Sequence, residues 1–211
     1  MSGASGAAYG VRLLEVLLAA ERTVHLTISP SFAAVYQQEL GTALDLTHFD
    51  LLALLIGFAE WRERLGVQGN SRRLKLSQEQ LARVRYTSFQ DLMQPIASGS
   101  FLTAGMVVCP CSGSTLAAIA HSQGSNLLHR AAEVHLKERR KLILVPRETP
   151  LSLPQLENMR TATLAGAVVL PASPGFYHGA ETIMDLVDFV VARICDQLGV
   201  PHQLMRRWGE S

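Results

Sequence analysis

The 211-residue sequence predicts an α/β protein built on a doubly wound parallel sheet. Three observations carry that expectation. Short β-branched apolar runs alternate with longer amphipathic stretches, and two of the runs close on a proline. Small, hydroxylated or glycine-rich segments stand where strands give way to helices. Strands spaced by helices make βαβ crossovers, so the strands lie parallel and helices cover both faces.

Each element follows in chain order. Gly3-Ala4-Ser5-Gly6 reads as a glycine-rich turn opening a helix over residues 8–20. Such a turn normally follows a strand, yet only Met1 and Ser2 precede it here. A missing central strand leaves two neighbours with open edges and a hole in the core. The expectation is therefore a first strand clipped by a start placed several residues too late; a truly shortened protein with impaired folding is the alternative. Residues 23–29 (TVHLTIS) alternate like a strand, and residues 32–40 carry a helical pattern.

Residues 41–97 break the rhythm. They hold an apolar segment (44–59), a polar stretch with Gly66, Gly69, Asn70, Arg72 and Arg73, and a helical pattern near residues 78–84. This reads as a helical excursion with a mobile loop near residues 66–73, inside one domain spanning residues 1–211. The alternation then resumes. Residues 105–109 (GMVVC), 141–145 (KLILV) and 166–170 (GAVVL) read as buried strands, the last two closed by Pro146 and Pro171. Helical patterns cover residues 114–120, 127–139, 154–165 and 182–198.

Composition bounds the function. With 48% hydrophobic and 18% charged residues the chain is no disordered tail. A net charge of +1 gives no global field to recruit nucleic acid or an anionic membrane. The longest apolar stretch, residues 51–59, falls far short of the roughly 20 residues of a spanning helix, and no signal peptide opens the chain. Three cysteines cannot make an extracellular disulfide framework. The expectation is a soluble cytoplasmic domain.

In a doubly wound sheet, ligands bind beyond the carboxyl ends of the strands, here just after Ser29, Cys109, Val145 and Leu170. Gly3-Ala4-Ser5-Gly6 either brings backbone N–H groups to an anion at a helix start or is a tight turn capped by Ser5. Ser112-Gly113-Ser114-Thr115, after Cys109-Pro110-Cys111, offers a second nest of amides and hydroxyls suited to phosphate, with N-capping by Ser112 or Ser114 as the plainer reading. Cys109 and Cys111 lack the second pair that a zinc site needs, and no metal is expected. Arg147 can fork onto a phosphate or a ring carbonyl, and Glu148 can move a proton if burial raises its pKa, or serve as an ion-pair partner. Residues 174–178 (PGFYH) set an aromatic plane and a phenol at the same rim. Arg130 and Lys137 share one helix, while Arg139, Arg140 and Lys141 read as a solvated basic end. His25, His121, His129, His135 and His202 read as structural.

Taken in order, these motifs resemble the flavin prenyltransferase family of the UbiX type. The resemblance rests on Gly-Ala-Ser-Gly at 3–6, Ile28-Ser29, Ala97-Ser98-Gly99-Ser100, Pro110-Cys111-Ser112 and Asn126-Leu127-Leu128 leading to Arg130. It is most specific over residues 136–150 (LKERRKLILVPRETP), and continues through 156–159 (LENM), 171–177 (PASPGFY) and 188–194 (DFVVARI). It covers residues 3–40 and 91–211. Three departures stand out: no strand precedes Gly3, Leu92 stands where some members carry tryptophan, and residues 41–90 are longer and match less.

The resemblance implies a flavodoxin-like (Rossmann-like) homododecamer that joins a dimethylallyl group from dimethylallyl monophosphate to N5 and C6 of reduced FMN, without metal. The prenylated FMN would pass to UbiD-type decarboxylases, including that of ubiquinone biosynthesis. By motif position, FMN would contact Gly3, Ala4, Ser5, Ser29, Ser112, Gly113, Ser114, Thr115 and Arg147. Arg130, Lys137, Tyr177 and Arg193 would hold the prenyl phosphate. Ser5, Glu39, Glu148 and Trp208 would complete the reacting chamber, some from a neighbouring subunit. The alternatives are an FMN-dependent cysteine decarboxylase of the same fold, whose Met-x-x-Trp clamp and working histidine are not found here, direct decarboxylation of an aromatic acid, or a flavin-binding protein without activity.

Overall fold

The computed structural model describes residues 1–66 and 75–205. In chain order the elements are α1 (Ala7–Ala19), β1 (Val24–Leu26), α2 (Pro30–Leu40), α3 (Leu51–Arg64), α4 (Gln78–Leu81), β2 (Val84–Tyr86), β3 (Met106–Cys111), α5 (Gly113–Ala120), α6 (Leu127–Lys137), β4 (Leu142–Pro146), α7 (Leu153–Leu164), β5 (Val168–Val169) and α8 (Ile183–Leu198). The strands pair in parallel, as the alternation predicts, with Val24 opposite Val84, Val107 opposite Ile143 and Ile143 opposite Val168.

The expected sheet is present in two pieces, β2-β1 and β3-β4-β5, with a gap between β1 and β3. β2 itself corrects the sequence reading, which ran a helical pattern to residue 84. The helix stops at Leu81, and Val84-Arg85-Tyr86 pairs with β1 instead. Three residues are too few to show a period of two. Stacking of Tyr86 on Phe49, with ring centroids 4.1 Å apart, helps hold this edge. The loop expected near residues 66–73 lies outside the described residues, apart from Gly66.

Successive strand residues face opposite layers. Ile143 and Val145 join the core shared with α1, α2, α3 and α8, whereas Leu142 and Leu144 face the one shared with α5, α6 and α7. α1 is apolar nearly all round and packs on α8, α2 and β3. On its polar side Arg12 is fully buried, its Nε 2.7 Å from Asp188 of α8 and its Nη1 2.9 Å from Glu15. Among the described residues, no helix is long and apolar enough to cross a membrane.

Candidate functional site

The carboxyl ends of β1, β3 and β4 lie at one rim, and Ser2 laces the first two loops together. Its hydroxyl donates to the Pro110 carbonyl (3.1 Å) and accepts from the Ser112 amide (2.9 Å), while Met1 O accepts from the Ser29 amide at 3.1 Å. Gly3 touches the start of α2 so closely that a Cβ there would lie 2.3 Å from Ser31 Cβ. Gly6 takes φ 99° and caps α1. Ser5 is therefore not the cap; the Glu39 carboxylate of α2 takes the free amides, at 3.0 Å from Gly6 N and 2.8 Å from Ala7 N.

Three helices begin around one small pocket of about 230 Å3. Ser29 caps α2, accepting from Phe32 N at 3.1 Å; Ser112 caps α5, accepting from Thr115 N at 3.3 Å; Asn126 caps α6, accepting from His129 N at 3.0 Å. Ser112 Oγ also donates to Thr115 Oγ1 (3.0 Å) and lies 3.2 Å from Ser114 Oγ. Of the expected cofactor contacts, Gly3, Ser29, Ser112, Ser114 and Thr115 line this pocket together. Hydroxyls gathered at helix N-termini favour a phosphate group. Arg147, at the end of β4, keeps its Nε buried and without a hydrogen-bond partner among the described residues, a donor left for a ligand.

Several neighbours went unread in the sequence. Ser31 and Phe89 line the pocket with no local motif to mark them. His129, read as structural, lines it too, with Nδ1 3.0 Å from Asn126 Nδ2, and burial holds its pKa low. Tyr9 is hidden in an apolar helix pattern, yet its phenol senses Cys109, Arg147 and Glu39, and burial above all raises its pKa. Cys109 and Cys111 are buried thiols pushed up to about 12 by burial, and so are protonated at neutral pH.

The cationic residues stand outside this pocket. Arg130 donates through Nε to Ala97 O (3.2 Å) and pairs with Glu133 at 3.5 Å; Lys137, two turns on, contacts Glu138. Arg140, expected in solvent, donates to Phe101 O at 2.8 Å and to Gly99 O, tying the Ala97–Ser100 motif to α6. Tyr177 sets its ring edge against Phe189 of α8 (5.7 Å), and Arg193, one turn on, pairs with Asp196 at 2.8 Å. His178 stacks on Phe189, and both its ring nitrogens are buried without a partner among the described residues. Glu148 is exposed and accepts from Gln155 Nε2 at 3.2 Å, so a single chain does not bury it. Trp208 lies outside the described residues. Among those residues, no cluster of three or more His, Cys, Asp or Glu is placed to hold a metal ion.

Comparison with known proteins agrees with this geometry. The profile of the Flavoprotein family matches residues 1–195. Flavin prenyltransferase UbiX of Pseudomonas aeruginosa is 45% identical over 211 residues, covering 100% of this chain and 92% of the relative, so the match runs through the segment at 41–90 as well. The crystal structure of AnUbiX (PadA1) in complex with FMN and dimethylallyl pyrophosphate superposes with a TM-score of 0.77 at 34% identity, over 99% of this chain and 94% of that one. A dodecameric FMN-dependent Ubix-like decarboxylase from Escherichia coli O157:H7 gives 0.77 at 35% identity, over 100% and 97%.

Proposed function

This chain belongs to the UbiX-type flavin prenyltransferases of the Flavoprotein family, and from that premise we propose that it joins a dimethylallyl group to reduced FMN. The observation that carries the reading is the hydroxyl-lined pocket at three helix starts, with the unpartnered Arg147 Nε at the same rim. Bound there, reduced FMN supplies N5 and C6 as the positions that take the five-carbon group.

In this reading Ser29, Ser112, Ser114 and Thr115 hold the phosphate end of FMN, with Gly113 leaving room beside them. Gly3, Ala4 and Ser5 bring the backbone close to the ring, and Arg147 forks onto a ring carbonyl or the phosphate. Dimethylallyl monophosphate is the proposed donor. Its phosphate leaves with two negative charges to balance, and in this reading Arg130, Lys137, Tyr177 and Arg193 receive it. These four stand on α6 and on the α8 side, so gathering them into one pocket across neighbouring copies of a homododecamer fits their placement. As the phosphate departs, positive charge grows on the allyl carbons. Tyr177 and Trp208 stabilise it by cation–π contact, about 0.5–2 kcal/mol each, and exclude water. Glu148 relays the proton that the leaving phosphate takes up, and Glu39 holds the α1 start beside the reacting ring. The recipient of the product is a UbiD-type decarboxylase.

The test is anaerobic incubation of the protein with reduced FMN and, in parallel, dimethylallyl monophosphate or the diphosphate, followed by mass analysis of the flavin. Gain of one C5 unit is expected, fastest with the monophosphate. Unmodified flavin from folded protein that strips CO2 from a thiol-bearing peptide would assign it to the cysteine decarboxylases instead. Glu148→Gln is expected to keep FMN bound and slow prenylation at least tenfold; unchanged turnover removes Glu148 from the proton path.

A further inference from the structure

The last turn of α8 folds back on itself through a chain of three side chains. Gly199 takes the left-handed conformation (φ 67°) that ends the helix, its N–H donating to Asp196 O at 3.2 Å, and Val200 N donates to Cys195 O at 2.9 Å. Pro201 has no N–H with which to continue the helix. The chain therefore turns back, and His202 comes to rest over Asp196, six residues earlier, with Nε2 3.2 Å from Oδ1. The other oxygen of the same carboxylate accepts from Arg193 Nη1 at 2.8 Å.

The order of burial separates this chain from an ordinary surface ion pair, which contributes little. Side-chain exposure falls from 49% at Arg193 through 19% at Asp196 to 3% at His202. His202 Nδ1 accepts from Leu204 N at 3.4 Å, so the ring carries its proton on Nε2 and donates a hydrogen bond to Asp196. His202, which reads as structural in the sequence, thus fixes the carboxylate, and the carboxylate fixes the guanidinium. With Nη1 held, Nε and Nη2 of Arg193 form an edge with no hydrogen-bond partner among the described residues, and such an edge forks onto a phosphate.

We infer that Asp196, braced by His202, is a positioning residue that aims this edge of Arg193 at the phosphate of the prenyl donor; the inference rests on the reading of Arg193 as a ligand to that phosphate. An arginine half in solvent has many rotamers, and one already held gives up less freedom when the phosphate arrives. The same carboxylate also sets a negative charge near the dianion. Aim and charge therefore act in opposite directions on donor affinity, and asparagine separates them. It keeps an oxygen acceptor for Arg193 Nη1 and, with the second His202 tautomer, the link to the ring, while the charge is gone.

The test measures kcat and the KM values for dimethylallyl monophosphate and reduced FMN, with thermal midpoints as a control on folding. The proteins are the parent, Arg193→Ala, Asp196→Ala, Asp196→Asn and the double variant Arg193→Ala with Asp196→Ala. Asp196→Ala is expected to raise the donor KM about tenfold, with kcat and the FMN KM within about twofold of the parent. Asp196→Asn should leave the donor KM at or below the parent value. In the double variant the donor KM should equal that of Arg193→Ala alone, since Asp196 acts only through the guanidinium. An unchanged or lowered donor KM in Asp196→Ala, or a further rise in the double variant, overturns the positioning role while the reading of Arg193 stands. A parent that transfers no C5 unit, or an unchanged donor KM in Arg193→Ala, removes the reading beneath, and the inference falls with it. Where Asp196→Ala does not fold, His202→Leu takes its place: a rise of about threefold, reversed in His202→Gln, supports the brace, and no rise counts against it.

Discussion

β1 and β3 are closed at one end and open at the other. At their carboxyl ends the Ser2 hydroxyl, the Met1 backbone and three helix caps knit the loops into a pocket. At their amino ends the same strands leave a slot of about 530 Å3. The binding loops therefore rest on local hydrogen bonding rather than on continuity of the sheet. α1 links the two ends, since its first turn joins the pocket through Gly6 and Glu39 while its apolar face roofs the slot.

The sharpest way to break that division is to loosen α1 from outside the slot. Arg12 and Asp188 are both almost wholly buried and bind at 2.7 Å, clamping α1 to α8. Removing Asp188 takes the Nε partner from the buried Arg12 while its ion pair with Glu15 stays, and breaking a buried pair typically costs about 3–5 kcal/mol. Asp188→Ala is expected to lose that much in chemical denaturation, yet the protein that stays folded should bind FMN within about twofold of the parent. A loss below about 1 kcal/mol would mean that apolar packing alone holds the roof.

A somewhat smaller effect comes from pH and reports on the open end alone. The Met1 amine falls from an ordinary 8.0 to about 6 in the folded state because it is buried. Between those values the unfolded chain binds more protons, so stability rises with pH from about 6 to 8 and is lowest below 6. Two units amount to about 3 kcal/mol at most. Denaturation midpoints across that range should show the rise, and acetylation of the amine should flatten it; a flat profile in the free amine would place Met1 in solvent.

The same contrast explains what could be read in advance. Residues 105–109, 141–145 and 166–170 are legible as strands because both faces are covered, which makes them unbroken apolar runs. β2 was not, since Val84-Arg85-Tyr86 owes its pairing to β1, nearly sixty residues away. At the site, Ser29 and Ser112 announce themselves as hydroxyls before helices, and both cap. Phe89, Ser31 and Tyr9 carry no such mark because fold geometry alone brings them to the rim. The basic residues on α6 and near α8 were legible one by one, and within the chain Arg130, Lys137 and Arg193 each pair with a near neighbour in sequence rather than with one another.

At the closed end, Gly3→Ala is the direct steric probe. The new Cβ would lie 2.3 Å from Ser31 Cβ, so the first loop must move away from α2. Overpacking of this kind costs about 1–3 kcal/mol, and if it falls on the pocket, FMN affinity drops about ten- to hundredfold. Quenching of flavin fluorescence measures it. An unchanged affinity with lowered stability would detach the first loop from the nucleotide.

The finest distinction is between a cap that only ends a helix and a cap that also faces a ligand. Ser112 and Ser77 do the same backbone work, accepting from Thr115 N at 3.3 Å and Gln80 N at 3.2 Å. Ser112 lines the pocket, whereas Gln80 Nε2 bonds Ala19 O at the opposite end of α1. Replacing either serine with alanine should cost about 1 kcal/mol of stability. Only Ser112→Ala should also weaken FMN, by about tenfold, since it removes a charge-assisted hydrogen bond to phosphate. Equal FMN affinity in the two variants would reduce the hydroxyl nest to helix punctuation, and the phosphate would then have to be held by Arg147 and the backbone amides.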